Sequence, residues 1–407
     1  MDDEKIVHRR PPRQPLLAYL GYLGFAAQLP WTVILVYLPI LETVLGGPTF
    51  AYTVSIAMGL ACNIIRLIVV FHGRRFTFLK RVVLGSVCSS LFTAGYFFIY
   101  LFSDPVDDWP APHTSLCFWL GLIVALIGGA GNAQLMSTGY GAASLVSHEK
   151  PVANTLFFFG QALASSFCWP LKRAVEALVP TTTTQVGISM CALSLVSLSI
   201  LPVYLFRISR YSALKGATGP ESGAPLKWVD AKRIFRSTMF PITCLWMSYF
   251  CTNLVTPGQL MQWGVPEDQH ESELLTDPKL YRSLCSYVHL LSDAVSKAVA
   301  VFIALRRDRM QRILDSRATP YVMVTLVAIR ICLLPMFYLP PASAEGRFVL
   351  LAMFGGINGI IASLSISLCS SRVVLSDTDV AGYLSSFTII NGLFAGSLAG
   401  LLAKILS

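Results

Sequence analysis

Residues 347–371 read RFVLLAMFGGINGIIASLSISLCSS, with no charged side chain after Arg347. A helix of about 20 residues crosses the roughly 30 Å hydrocarbon core of a bilayer. The run is continuously apolar and does not alternate, which is typical of a membrane-spanning helix and not of a β-barrel strand. This stretch therefore predicts an integral membrane protein.

The composition of the whole chain agrees with that prediction. Its 407 residues are 54% hydrophobic and 13% charged, whereas soluble domains carry about 25% charged residues. Ten cysteines lie in apolar runs without a CxxC pair or a metal-like Cys/His spacing. A water-soluble globule is therefore excluded, and we expect no disulfide framework, metal site or cofactor.

Further apolar runs of similar length occur along the chain, and together they predict eleven transmembrane helices. The first run is longer than the roughly 7 to 15 residues of a signal-peptide core, so it is predicted to be retained. The predicted spans lie near 16–41, 50–71, 79–102, 116–146, 152–171, 185–206, 237–258, 280–305, 319–339, 347–371 and 380–405.

The basic residues predict the orientation in the membrane. With the N-terminus in the cytoplasm, 22 Lys and Arg fall in the cytoplasmic segments and five on the opposite side. Because Lys and Arg are enriched in cytoplasmic loops, the N-terminus is predicted inside and the C-terminus, after an odd number of helices, outside. The net charge of +9 therefore reflects topology. The expected partners are the lipid bilayer and a small molecule, and no nucleic acid.

The longest connection is rich in Gly, Pro, Ser and charge, which is typical of a linker. It divides the chain into a predicted all-α arrangement of two bundles, with six and five helices. The predicted segments are a cytoplasmic tail at 1–15, an N-terminal bundle at 16–206, a cytoplasmic linker at 207–236 and a C-terminal bundle at 237–407.

Charged residues deep in the predicted spans carry the strongest functional signal, because each costs about 2.5 to 3.5 kcal/mol at a helix centre. His289, Asp293 and Lys297 recur at every fourth position, so one helix face carries all three. Arg330 reaches a similar depth in the next span, so Lys297, Arg330 or both can neutralise Asp293. Two interpretations remain open: an ion pair that locks two helices, or the polar wall of a substrate path.

Amides and one tryptophan add to the polar interior. Pro30 loosens the first span, so that the indole of Trp31 can face a lumen instead of lipid or core. Small residues in the fourth, fifth, tenth and eleventh spans let helices approach closely, and amides there can bond across helices or line a path. These amides are Asn132, Gln134, Gln161, Asn358 and Asn391.

Several short motifs stand in order on successive spans. They are LPW at 29–31, Asn132-Ala-Gln134, FFFGQALASS at 157–166, Asp293, Arg330 with Pro335, and GGINGIIASLSIS at 355–367. In this order the chain resembles the equilibrative nucleoside transporter family over nearly its whole length. The resemblance implies a major-facilitator-like pair of bundles that performs facilitative transport of nucleosides, with purines favoured and nucleobases in some members, by alternating access. It also implies a non-enzymatic protein, and we expect it at the plasma membrane.

The resemblance also assigns roles to individual residues. Trp31 would stack on or close over the base, Leu35 and Met58 would form apolar walls, and Gln134 would bond to the polar edge of the base. Asp293 and Lys297 would serve the ribose hydroxyls. Apart from the resemblance, we expect His289, Arg330, Gln161 and Asn358 to form the surrounding polar network and gate.

Three positions depart from the family pattern. Leu290 replaces an Asn, and Lys297 stands where Arg is usual, which removes the planar fork needed for bidentate contact. His289 lies outside the pattern and either compensates for the missing amide or indicates proton coupling. The alternatives are therefore a proton-coupled nucleoside or nucleobase symporter, and a two-bundle carrier of another small polar solute. The spans contain no HExxH or G-x-S/T-x-G motif, which disfavours an intramembrane enzyme.

Overall fold

The computed structural model describes residues 14–45, 49–103, 116–147, 152–205, 226–256, 260, 263–266 and 278–406. The regular elements in these ranges are helices. The α-helices are α1 (Gln14–Leu45), α2 (Thr49–His72), α3 (Phe78–Phe102), α4 (Leu116–Ser147), α5 (Val152–Leu178), α6 (Thr182–Val203), α7 (Trp228–Val255), α8 (Pro278–Ala304), α9 (Arg307–Asp315), α10 (Ala318–Leu333), α11 (Pro335–Tyr338), α12 (Ala344–Ser371) and α13 (Thr378–Leu406).

Each predicted span overlaps one of the long helices, and nine stretches in the described ranges are long and apolar enough to cross a membrane. The chain is therefore a multi-pass membrane protein. Two long helices, α5 and α7, are outside this set. Their hydropathy is lowered by amides such as Asn154, Gln161 and Asn253, which bond to neighbouring helices. The number of membrane crossings and the sides of the two termini stay predictions.

Several predicted boundaries differ from those of the helices, and two of the differences have a clear local cause. Helix α7 begins at Trp228, inside the predicted linker, because the basic segment before the apolar run is also helical. Asp230 lies in the first turn, where a carboxylate interacts favourably with the helix dipole. The predicted ninth span is divided into α10 and α11 at Pro335, which begins the shorter helix. Most of the predicted tail and linker, residues 1–13 and 206–225, lies outside the described residues.

Small residues allow the helices of the first half to pack backbone to backbone. A Cβ atom on Gly160 of α5 would collide with the carbonyl oxygen of Gly21 on α1, and one on Gly24 would collide with that of Phe157. This is how glycines bring membrane helices together without a hydrophobic driving force. The glycines thus hold α1 and α5 in close contact.

The helices before and after residues 206–225 pack mainly among themselves. The two halves meet where α5 packs on α8 and where α2 and α4 pack on α13. Lys297 of α8 and Phe158 of α5 meet at this junction. The division into two moving bundles remains a prediction.

Candidate functional site

A buried ion pair lies on α8. The Nζ of Lys297 donates to Oδ2 of Asp293 at 2.6 Å, and the two side chains are 5% and 11% exposed. Taking a single charge out of water is unfavourable unless a partner compensates for it. Of the two cations that the sequence offered for Asp293, Lys297 is the one in direct contact.

Helices α12 and α7 complete the bonding of the carboxylate. The Nδ2 of Asn358 donates to Oδ1 of Asp293 at 2.9 Å. The hydroxyl of Ser248 donates to Oδ1 of Asn358, also at 2.9 Å. Both oxygens of Asp293 therefore accept a hydrogen bond, one from a cation and one from an amide.

Arg330 of α10 joins this arrangement through a threonine. Its side chain is completely buried, and it donates to the carbonyl of Phe354 and to the hydroxyl of Thr252, both at 2.7 Å. The Thr252 hydroxyl in turn lies 3.4 Å from Oδ1 of Asn358. We call the connected set Asp293, Lys297, Asn358, Ser248, Thr252 and Arg330 the α8 network.

The α8 network contacts the first half of the protein through an aromatic ring. The ammonium of Lys297 lies 3.9 Å from the ring centroid of Phe158 on α5, a cation–π geometry. The Phe158 ring is 6.1 Å from that of Tyr140 on α4 and 6.5 Å from that of Tyr249 on α7. The ion pair therefore lies at the junction of the halves, with a face toward α5.

His289 is one turn before Asp293 on the same face of α8. It is 4% exposed, and its ring centroid lies 5.9 Å from that of Phe354. Its Nδ1 has no hydrogen-bond partner among the described residues. The sequence prediction that these α8 residues share one face agrees with these contacts.

The predicted residues of the first half lie on α1, α2, α4 and α5. Trp31 and Leu35 are partly buried against an apolar cluster that contains Met58. Gln134 is half-buried, and Gln161 accepts a hydrogen bond from the hydroxyl of Tyr140 at 3.2 Å. Within the described chain, Oε1 of Gln134 and Nε2 of Gln161 are buried without partners. The structure thus places two amides with unused bonding capacity on α4 and α5.

Solved structures share this architecture. A variant of the E. coli fucose:proton symporter FucP has a TM-score of 0.57 and 11% identity, over 96% of this chain and 92% of that chain. The human organic anion transporter MFSD10 has a TM-score of 0.56 and 14% identity, over 96% and 94%. The proton:xylose symporter XylE, bound to 6-bromo-6-deoxy-D-glucose, has a TM-score of 0.63 and 12% identity, over 96% and 89%.

The chain has a major-facilitator-like fold. At these identities the likeness shows the fold alone. No family model matches the sequence, and no curated protein does. The nucleoside transporter resemblance therefore rests on the sequence motifs, and the comparisons support a major-facilitator-like architecture without singling out that family.

Several residues of the site escaped sequence reasoning. Ser248 and Thr252 are spaced one turn apart on α7, and that spacing was the available signal. Phe158 belongs to a quoted motif, but its contact with Lys297 joins positions that are far apart in the chain, in two halves of the major-facilitator-like fold. Nothing in the local sequence indicates which aromatic ring meets the ammonium.

Arg66 of α2 forms another polar link between the halves. It is 3% exposed and donates to the carbonyl of Ser386 on α13 at 2.6 Å and to Oδ1 of Asn132 on α4 at 2.8 Å. Asn132 also donates to the carbonyl of Ala27 at 3.3 Å. One guanidinium thus connects α2, α4 and α13.

Proposed function

We propose that this protein is a secondary transporter, at the cell surface, that moves a small polar solute by alternating access of its two halves. The observation that carries the proposal is the ion pair of Asp293 and Lys297, which is buried and faces Phe158 at the α5–α8 contact. In the proposed cycle this contact loosens when one side opens and re-forms when that side closes.

The energetics favour a functional role for the pair. Ionisable residues within membrane helices are expensive and face a protein interior or a water-filled path. An ion pair that only holds two helices of one half together would not need its cation at the boundary with the other half. The position of Lys297 against an α5 ring therefore supports a role in the movement of the halves or in solute contact.

We infer that the solute is a nucleoside, with purines favoured, as the motif resemblance implies. A base needs a flat apolar contact and a few polar groups in an otherwise dry site. Trp31 offers the flat surface, and the unpartnered Oε1 of Gln134 offers an acceptor for an exocyclic amino group. Asp293 and Asn358 offer partners for ribose hydroxyls.

The direct test is uptake of labelled adenosine by liposomes that contain the purified chain. We expect saturable uptake, and a decrease of about tenfold in kcat/KM for Gln134→Ala, because a lost hydrogen bond to a buried polar group costs about 1 to 3 kcal/mol. Gln14→Ala, an exposed position at the start of α1, is the matched control. Adenosine uptake no greater than in empty liposomes, alongside saturable uptake of a sugar or an organic anion, would remove the nucleoside but keep the transporter.

A proton-coupled carrier is the second candidate, and His289 favours it. Its imidazole is buried one turn from Asp293 and has an unpartnered nitrogen within the described chain. Histidine is the side chain whose unperturbed pKa lies nearest physiological pH, and a neighbouring carboxylate gives it a group with which to exchange a proton.

In this version, an inwardly directed proton gradient drives adenosine accumulation above the external concentration, and His289→Ala ends the accumulation while exchange of labelled for unlabelled adenosine persists. The measurement is accumulation in liposomes with and without a pH step. Adenosine uptake that stops at the external concentration both with and without the pH step identifies a uniporter.

A further inference from the structure

A polar cavity of about 270 Å³ lies away from the α8 network, where α4 ends, α5 begins, α9 passes and α12 ends. The charge distribution predicts this face of the membrane to be cytoplasmic. The described residues of its wall include four serines, the amides Asn154 and Gln311, and one cation, Arg307, and they contain no carboxylate.

Both halves of the protein supply this wall. Asn154 of α5 is 2% exposed, and its Nδ2 donates to the hydroxyl of Ser147 on α4 at 3.1 Å and to that of Ser370 on α12 at 2.8 Å. The hydroxyl of Ser144 donates to Oδ1 of Asn154 at 3.3 Å. Asn154 therefore ties the first half to the second at the rim of the cavity.

Two groups in the wall have unused hydrogen-bonding capacity. Ser367 is 5% exposed, and its hydroxyl has no partner in the described part of the chain. Arg307 is exposed, and no hydrogen bond or ion pair joins its guanidinium to another described residue. Buried polar atoms in folded proteins are normally bonded, so an orphaned hydroxyl that faces a cavity indicates a missing acceptor.

We propose that this cavity binds a small anion that carries a phosphate group. The guanidinium of Arg307 and the hydroxyl of Ser367 are donors of the kind that phosphate oxygens accept from, and Arg suits phosphate through its forked geometry. None of the wall residues that the structure describes is a carboxylate that would repel an anion inside the cavity. The cavity has room for the phosphate and a small organic group.

Binding has a consequence for the transport cycle, and this consequence rests on the proposed function. The cavity exists only while α4 and α5 meet α9 and α12, and opening at this face breaks the Asn154–Ser370 bond. A ligand that binds one state shifts the equilibrium toward it by the factor 1 + [L]/Kd, which is about a hundredfold at 100 times Kd. A phosphate-bearing anion therefore holds this face closed and slows transport.

The test is binding of radiolabelled inorganic phosphate to the purified full chain in nanodiscs at constant ionic strength. We expect saturable binding that is at least tenfold weaker in Arg307→Gln and about threefold weaker in Ser367→Ala. Arg309→Gln, an exposed arginine on the same helix that does not line the cavity, is expected to bind like the wild type. Equal binding by all four proteins, or no saturable binding by the wild type, would overturn the proposal.

Two competitors distinguish the sources of the phosphate group. Displacement of the label by phosphatidate in the nanodisc identifies a lipid headgroup, and displacement by soluble glycerol phosphate alone identifies a soluble phosphomonoester. Because phosphate binding is measured without transport, a loss of binding contradicts the proposed phosphate site and leaves the proposed transport function unaffected. Conversely, if the protein takes up no solute but still binds phosphate through Arg307, that result contradicts only the proposed function.

Discussion

Asp293→Asn lowers the rate of solute uptake at least a hundredfold. The substitution leaves the ammonium of Lys297 buried without its anion, and truncating one partner of a buried pair costs about 3 to 5 kcal/mol. In the wild type, Nδ2 of Asn358 donates to Oδ1 of Asp293 at 2.9 Å. The substitution replaces this carboxylate, which only accepts hydrogen bonds, by an amide that both donates and accepts. The measurement is initial uptake by liposomes with matched protein content. Asp308→Asn, an exposed acid on α9, is the control that retains uptake.

The double variant Asp293→Asn/Lys297→Met separates a structural lock from a transport role. It removes the unpaired charge, and replacement of a buried pair by neutral side chains is often neutral for stability. We expect the double variant to regain the melting temperature of the wild type but not its uptake. Recovery of both quantities would mean that the pair only holds helices together and would remove it from the proposed site.

Gly359→Ala gives the second large effect, through the position of α8. A Cβ atom on Gly359 would lie 2.6 Å from the carbonyl oxygen of Asp293 and 2.8 Å from the Cβ of Ser296. Backbone atoms have little room to yield, so α12 and α8 must separate, and overpacking of this kind costs about 1 to 3 kcal/mol. We expect a lower melting temperature and a loss of uptake of at least tenfold.

Gly356→Ala is the matched control on the same helix. Its Cβ would meet only the Ser296 hydroxyl oxygen, at 3.3 Å, and that side chain can rotate away. Alanine is the better helix former by about 1 kcal/mol, so stability stays equal or rises. Equal loss of uptake in both variants would indicate general sensitivity of α12 and not a specific α8–α12 contact.

The ionisable face of α8 could be predicted from spacing alone. His289, Asp293 and Lys297 share one face because a helix repeats every 3.6 residues, and a mid-membrane carboxylate requires a nearby cation. Asn358 was predicted to bond across helices or to line a path, and it bonds across helices to Asp293. Each of these inferences depends on one helix at a time or on the solvation of a single charge.

The contacts of Arg330 and of the N-terminal amides could not be predicted in the same way. Arg330 reaches Thr252 and Phe354, not Asp293 directly, because the crossing of α10, α7 and α12 sets which acceptors lie within its reach. Gln134 and Gln161 retain unpartnered atoms, and this property depends on every neighbour that packs around them. The predicted depth of these side chains in the membrane does not indicate which partners they bond to.

The linear order of apolar and charged residues by itself determined that the chain is a membrane protein, where its helices run, and that α8 carries an ionisable stripe, because burial in lipid acts on each helix separately. The tertiary structure alone decided that Lys297 meets Phe158 across the junction of the halves and that Ser367 faces a polar cavity. Those contacts join residues far apart in the chain, and they depend on the angles and distances at which glycine-containing helices pack.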